Sequence, residues 1–338
     1  MRNKLYVSCA VVYVIGAVSC GNTWINDEYD RVAGAGDPFM YTIAGQADVS
    51  KIQAHPNGSF LITSNDNITI DTIIDEFGGK IQGQGKGEIR VSGMFAKKAK
   101  NALFKDIVFN ATLNPPVGTA ILGIVAAEAE NTQFINVQIK GDLKAQRVEG
   151  KKVVIGGIVG IMDAKSKIER CGTFATPPSI EVSGSGDAIA GGLVGQNNGG
   201  TIFYSFSHSS FSITATNTAT VGGIAGILEA GSKLSNSYYA NDGYGPNSGL
   251  ANVTAGGTSY IGGLVGNNTG GSSTLEVSYT TYNTTVGTGD SGPGNVFANV
   301  ISAGGQISIG SNGYETTIWY RNQSPPPPTY PRLFNNPD

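Results

Sequence analysis

Ile261-Gly262-Gly263-Leu264-Val265-Gly266 is an apolar box of six residues, and near-copies of it recur along the chain. They read Val91-Ser92-Gly93-Met94-Phe95-Ala96, Ile121-Leu122-Gly123-Ile124-Val125-Ala126, Ile155-Gly156-Gly157-Ile158-Val159-Gly160, Ala190-Gly191-Gly192-Leu193-Val194-Gly195 and Val221-Gly222-Gly223-Ile224-Ala225-Gly226. Aligned on the third residue of each box, the copies lie 30, 34, 35, 31 and 40 residues apart. Self-similarity at a loose fixed period marks stacked repeats, because one unit cannot bury its apolar face alone. Glycine-rich runs can also cradle phosphate. No Lys-Ser/Thr and no helical pattern follows the box, so it reads as a core strand and corner.

A second strand follows each box after seven to nine residues: Phe104 to Ile107, Phe134 to Val137, Ile168 to Cys171, Ile202 to Ser205, Leu234 to Ser237 and Leu275 to Ser278. A third, looser strand follows in several copies, at Ile180-Glu181-Val182, Phe211 to Thr214 and Asn252-Val253-Thr254. Three short strands and three turns per repeat describe one coil of a parallel β-helix, in which the coil itself is the crossover that parallel pairing requires. The fold expected is all-β, a β-solenoid of about six to eight coils over residues 41–320. Ile158, Leu193, Ile224 and Leu264 should stack, as should Ile168, Ile202, Leu234 and Leu275. Asn-rich turns such as Gln196-Asn197-Asn198-Gly199 and Asn267-Asn268-Thr269-Gly270 suit left-handed backbone and side-chain ladders. Ile43 to Ile52, with Ile43, Ala47 and Ile52 on one side, predicts a short amphipathic helix that caps the open N-terminal end. The insertion at Asn241 to Gly249 should project as a loop, and the four prolines between Ser324 and Pro328 start an extended tail over 321–338.

The boxes resemble the GLUG motif of bacterial surface proteins, best at Gly192-Leu193-Val194-Gly195 and Gly263-Leu264-Val265-Gly266. The strands ending at Cys171, Ser205-Phe206, Ser237-Tyr238 and Ser278-Tyr279 are similar to the run that follows the box in that family. Phe77 to Gly85 is similar to its upstream strand. Gly157, Gly160, Gly192, Gly195, Gly223, Gly226, Gly263 and Gly266 carry the match, over roughly residues 42–282. Ala96 and Ala126 depart from it in the final glycine. The resemblance implies a right-handed parallel β-helix, surface display and adhesion, and it brings no catalytic residues.

Composition is consistent with such a chain. Of 338 residues, 49 are glycine and 14% are charged, and the net charge of −3 offers no basic face for nucleic acid. Residues 1–19 read as a signal peptide: Arg2 and Lys4, then an apolar run from Leu5 to Val18. Its removal takes Arg2 and Lys4 with it and moves the charge from −3 to −5. Ala17-Val18-Ser19-Cys20 resembles a bacterial lipobox, with Ala17 where Leu is usual, so Cys20 is the expected lipidation site and residues 20–40 a flexible tether. Cys9 leaves with the signal, and Cys171 is then alone and expected in the core, where other copies carry Ser205, Ser237 and Ser278. Without lipidation, a Cys20–Cys171 bridge is the alternative.

The polar residues offer few candidates for chemistry. His55 and His208 belong to no metallopeptidase motif, and no nucleophile elbow accompanies them. Asp163, Glu169, Arg170, Asp187 and Glu229 are candidates for a β-helix polysaccharide lyase or hydrolase, which needs carboxylates gathered on one face. Asp66, Asp71 and Asp75 lack a defined Ca²⁺-loop spacing, and Lys97-Lys98-Ala99-Lys100 reads as a basic turn. No metal or cofactor is expected. Tyr204, Tyr238, Tyr239, Tyr244 and Tyr279 cluster in the second half. Facing out, they suit sugar or protein binding; facing in, they fill the core. The leading expectation is a non-catalytic, lipid-anchored surface protein that binds a host or surface protein or glycan. A secreted glycan-degrading enzyme and a structural envelope stalk are the alternatives.

Overall fold

The computed structural model describes residues 40–111, 118–145, 151–173, 178–239, 251–269, 274–276, 279–280, 319–321 and 331–333. Apart from one short helix region near the N-terminus, the described elements are short strands, and nearly all pair in parallel with a strand one coil further on. The chain is an all-β parallel β-helix.

Sheet I runs through nine levels, from Met40–Ile43 to Thr274–Glu276. One column in register through it is Tyr41, Phe60, Ile81, Phe104, Phe134, Ile168, Ile202, Leu234 and Leu275. The expected stack from Ile168 to Leu275 is therefore present. So is the other: the N–H groups of Ile158, Leu193 and Ile224 each donate to the carbonyl of the next member, ending at Leu264. These four side chains are fully buried. Coils lengthen along the chain. Members of the sheet I column are 19, 21 and 23 residues apart up to Phe104 and 30 to 41 apart beyond it. The longer coils carry more faces. In one of them the chain passes through Val153–Gly156 of sheet III, Val159–Met162 of sheet II, Lys167–Glu169 of sheet I, the short Gly172–Thr173 and Ser179–Ser185 of sheet IV. The coils that begin at Lys167, Thr201 and Lys233 therefore have five strands rather than the three expected, whereas the short coils that begin at Ser59 and Lys80 have three.

The box is divided between two of these sheets. Ile155-Gly156 ends sheet III and Val159 begins sheet II, so the paired glycine marks a sharp corner. At its second position the missing side chain leaves room for an interior residue: a Cβ on Gly223 would collide with the Tyr239 ring. The final glycine has a different role. In sheet II the ladder pairs Val159, Ile161 and Met162 with their neighbours and skips Gly160, and the same skip recurs at Gly195, Gly226 and Gly266. Both partners skip one residue, so the register is kept and the final glycines stand opposite one another coil upon coil. Val154 and Ile189, on the outside of sheet III, lean over them into a small satellite cluster with Ile227.

Backbone pairing also corrects the alignment of the early copies. Gly123 pairs with Gly156, the first glycine of its box, and Ala126 with Val159. Gly93 and Gly123 therefore match the first glycine, and the final position is held by Lys97 and Ala127 rather than Ala96 and Ala126. A single glycine fits either slot of a doubled one; the burial of Leu122 beside Ile155 decides between them.

At the N-terminal end, Ile43 is in a strand, paired with Ile62. The helix begins later, as a 3₁₀ turn Gln46–Asp48 followed by Val49–Ala54, and it buries Val49 and Ile52 while Ala47 is exposed. Gln46 protects the adjacent strand edge. Its amide accepts from the Thr69 N–H at 2.7 Å and donates to the Thr69 carbonyl at 2.8 Å, taking the place of a neighbouring strand. At the other end, Trp319–Arg321 pairs antiparallel with Pro331–Leu333, so part of the expected tail is in a strand pair outside the parallel sheets.

A polar ladder closes the turn after sheet I. The Val137 N–H meets the Cys171 sulfur at 3.4 Å, the Cys171 N–H the Ser205 hydroxyl at 3.2 Å, and the Ser205 N–H the Ser237 hydroxyl at 3.1 Å. Cys171 is thus a free core thiol, pushed up to about 12 by burial. Serine and cysteine recur here because each supplies an acceptor to a buried N–H one coil below. Ser278 lies outside the described residues, as do Cys9, Cys20 and the insertion at 241–249.

Candidate functional site

That turn exists because the residue before the ladder has left-handed backbone. Asp106, Asn136, Arg170, Tyr204 and Asn236 form a column with φ of 53°, 51°, 53°, 50° and 47°. Asp and Asn adopt this region at modest cost, whereas larger side chains rarely do. Asn136 also donates to the Asp106 carboxylate at 2.8 Å, the kind of side-chain ladder the sequence suggests, though at a different corner. Arg170 and Tyr204 break the pattern in two adjacent coils.

Those two residues sit in a small patch of charge and aromatic surface. Phe203 and Tyr204, both half-buried, meet edge to face with ring centroids 5.2 Å apart. The Lys167 ammonium lies 4.6 Å from the Phe203 centroid. Glu169 bridges two cations, at 2.9 Å from Lys167 and 3.2 Å from Arg170. The cations are 39% and 43% exposed and Glu169 18%, so these pairs contribute little stability and leave the charges in reach of solvent. Lys233, exposed, extends the Lys167 column through Thr201.

Of the five tyrosines singled out in the sequence, Tyr204 alone is a described side chain with part of its surface open. Tyr238 and Tyr239 are each 1% exposed and cannot meet a ligand directly. Tyr239 points into the core against Gly223, and its phenol donates to the Ser209 carbonyl at 2.9 Å. Tyr238 stacks on Phe206 with centroids 5.5 Å apart and packs beside His208. Tyr244 lies outside the described residues. Tyr279 pairs through its backbone with Tyr238, and its side chain is outside them too.

The candidate catalytic carboxylates are not gathered. Asp163 accepts from the N–H of Asn131 and Lys165 and from the Ser166 hydroxyl, at 3.1, 3.2 and 2.6 Å. Asp187 accepts from the Thr218 N–H at 3.1 Å, and Glu229 from the Thr269 hydroxyl at 2.5 Å. The Asn197 level separates Asp163 from Glu229, which puts their turns about 10 Å apart. Lys97 to Lys100 is not a turn but part of the strand Ala96–Lys100. Lys97 pairs with Asp75 at 2.6 Å, and Lys98 and Lys100 pair with Glu130 at 2.6 and 3.4 Å. The Glu130 bond holds the Lys98 ammonium above its usual pKa, while the lysines hold Glu130 below the carboxylate range. Asn65 and Asn67 accept from the N–H of Lys86 and Glu88 in the next coil. Among the described residues, no three His, Cys, Asp or Glu side chains are placed to share a metal ion.

Sequence alone does not bring Arg170 and Phe203 into one patch. A signal was present: Phe104-x-Asp106, Phe134-x-Asn136 and Leu234-x-Asn236 place Asp or Asn two residues after the column, and Ile168-x-Arg170 and Ile202-x-Tyr204 depart from it. No protein-family model matches this chain, and no curated protein matches it significantly.

Proposed function

We propose that this chain is a non-catalytic binding protein of a cell surface, exported by residues 1–19 and held by a lipid on Cys20. Its binding surface is the outside of sheet I at Arg170, Phe203 and Tyr204. One observation carries the reading: left-handed backbone at Arg170 and Tyr204, where the coil below has Asn136 and the coil above Asn236. Arg and Tyr cost on the order of 1 kcal/mol each in this conformation. Stability therefore favours Asn at both positions, and a cation and an aromatic ring held there against that preference point to contact with a partner. Engagement of Asp163, Asp187 and Glu229 in capping their own turns favours binding over the glycan-cleaving alternative. The resemblance of the boxes to the GLUG motif supports surface display.

Tyr204→Asn should raise the unfolding free energy by about 1 kcal/mol and weaken attachment of the purified protein to its target cells. Denaturant unfolding and a cell-binding titration read the two effects. A correctly folded variant with undiminished binding removes the ridge from the function. For the anchor, palmitate labelling in the native host should be abolished by Cys20→Ala, and a label that survives the substitution refutes lipidation at that residue.

A further inference from the structure

We infer that the partner of this ridge is an acidic polysaccharide, a sugar chain bearing carboxylate or sulfate groups. The inference rests on reading the ridge as a binding surface and adds the chemistry of the ligand. Three cations lie within one coil of the aromatic pair: Lys167, whose ammonium is over the Phe203 ring, Arg170 one coil below Tyr204, and Lys233 one level above Thr201. Among the described side chains facing them, one carboxylate, Glu169, is shared between Lys167 and Arg170. The patch thus has an excess of two positive charges on a chain whose overall charge is −3. Asp106, further down the left-handed column, already accepts from Asn136. Glu276 continues the Glu169 column beyond Ser235 by its backbone, and its side chain is outside the described residues.

The geometry also favours a polymer. Lys167, the Thr201–Phe203 strand and Lys233 occupy successive levels of sheet I, with about 4.8 Å between levels. Lys167, Thr201 and Lys233 form one column, with Phe203 two residues from Thr201 on the middle strand. A ligand lying along the axis therefore meets a cation at each outer level and has an aromatic ring beside it at the level between. That order suits a chain that offers the apolar face of a sugar ring between anionic substituents. Arg170 adds a planar fork of donors matched to a carboxylate or sulfate. A nucleic acid would need a longer basic surface than three residues provide.

The test uses the full chain and four immobilised polymers: polygalacturonate, heparin, dextran and double-stranded DNA. Binding to polygalacturonate or heparin, absent from dextran and lost as salt rises to about 0.5 M, is expected. The polymer that binds distinguishes carboxylate from sulfate. The double substitution Arg170→Asn with Lys233→Gln should weaken that binding about tenfold. Its melting temperature should not fall, because Asn suits the corner that Arg170 occupies. Equal binding to dextran, or stronger binding to DNA, overturns the inference, as does full binding by the double variant. If neither acidic polymer binds while Tyr204→Asn still reduces cell attachment, the ligand class is wrong and the binding ridge stands.

Discussion

Phe104→Ala is expected to destabilise the protein by about 3–5 kcal/mol. Phe104 is fully buried in the sheet I column and stacks flat on Phe134, with ring centroids 5.4 Å apart and planes 6° from parallel. Phe77, Phe95 and Phe109 surround it, with centroids at 5.3, 5.7 and 6.0 Å. It sits where the short N-terminal coils meet the longer ones, so its removal opens a cavity at the joint between them. In a solenoid each coil is supported only by its neighbours. The loss should therefore appear as early melting around this joint, read by urea unfolding and by hydrogen exchange of the amides in Leu103–Ala111 and Gln133–Gly141. A loss under about 1 kcal/mol would mean that the Phe cluster is not the core of the first half.

Gly191→Ala is the second large effect, at about 3 kcal/mol or more. Gly191 is the first glycine of its box, at the corner between sheets III and II. A Cβ there would collide with the Val194 carbonyl oxygen of its own corner and stand 2.6 Å from the Gly226 nitrogen of the next coil. Both obstacles are backbone, so no side-chain rotation relieves them, and opening the corner would disturb the ladder above. Gly45→Ala is the matched control. Nothing lies within 4 Å of a Cβ at that position, and the change should stay within about 0.5 kcal/mol. Thermal unfolding of the two variants side by side decides the point: similar melting temperatures would show that the box glycines are interchangeable with alanine.

The site was less legible than the fold, and the tyrosines show why. Tyr238 and Tyr239 are adjacent in a strand and so point to opposite sides, yet both are buried. Alternation correctly predicts opposite faces. It does not reveal that Gly223 leaves an interior space for one ring, or that Phe206 and His208 pack against the other. Lys97 to Lys100 reads as a basic turn because nothing local reports Asp75 in the coil below or Glu130 in the coil above. Asp163 looks like a free acid until Asn131, a coil away, is seen to donate to it.

The repeated box Ile261 to Gly266 and its copies determined the parallel β-helix, the stacking of Ile168 with Ile202 and Leu234, and the burial of Cys171. These follow from apolar periodicity and from a coil-length spacing, both written along a single chain. Only the tertiary structure decided that Gly123 matches Gly156 rather than Gly157, that the later coils have five strands, and that Arg170 and Tyr204 share a left-handed column beside Phe203. Each of those facts is a contact or a register between coils some 30 residues apart. Pairing energy across that gap selects among frames that look equivalent within one copy, so sequence within the copy cannot choose.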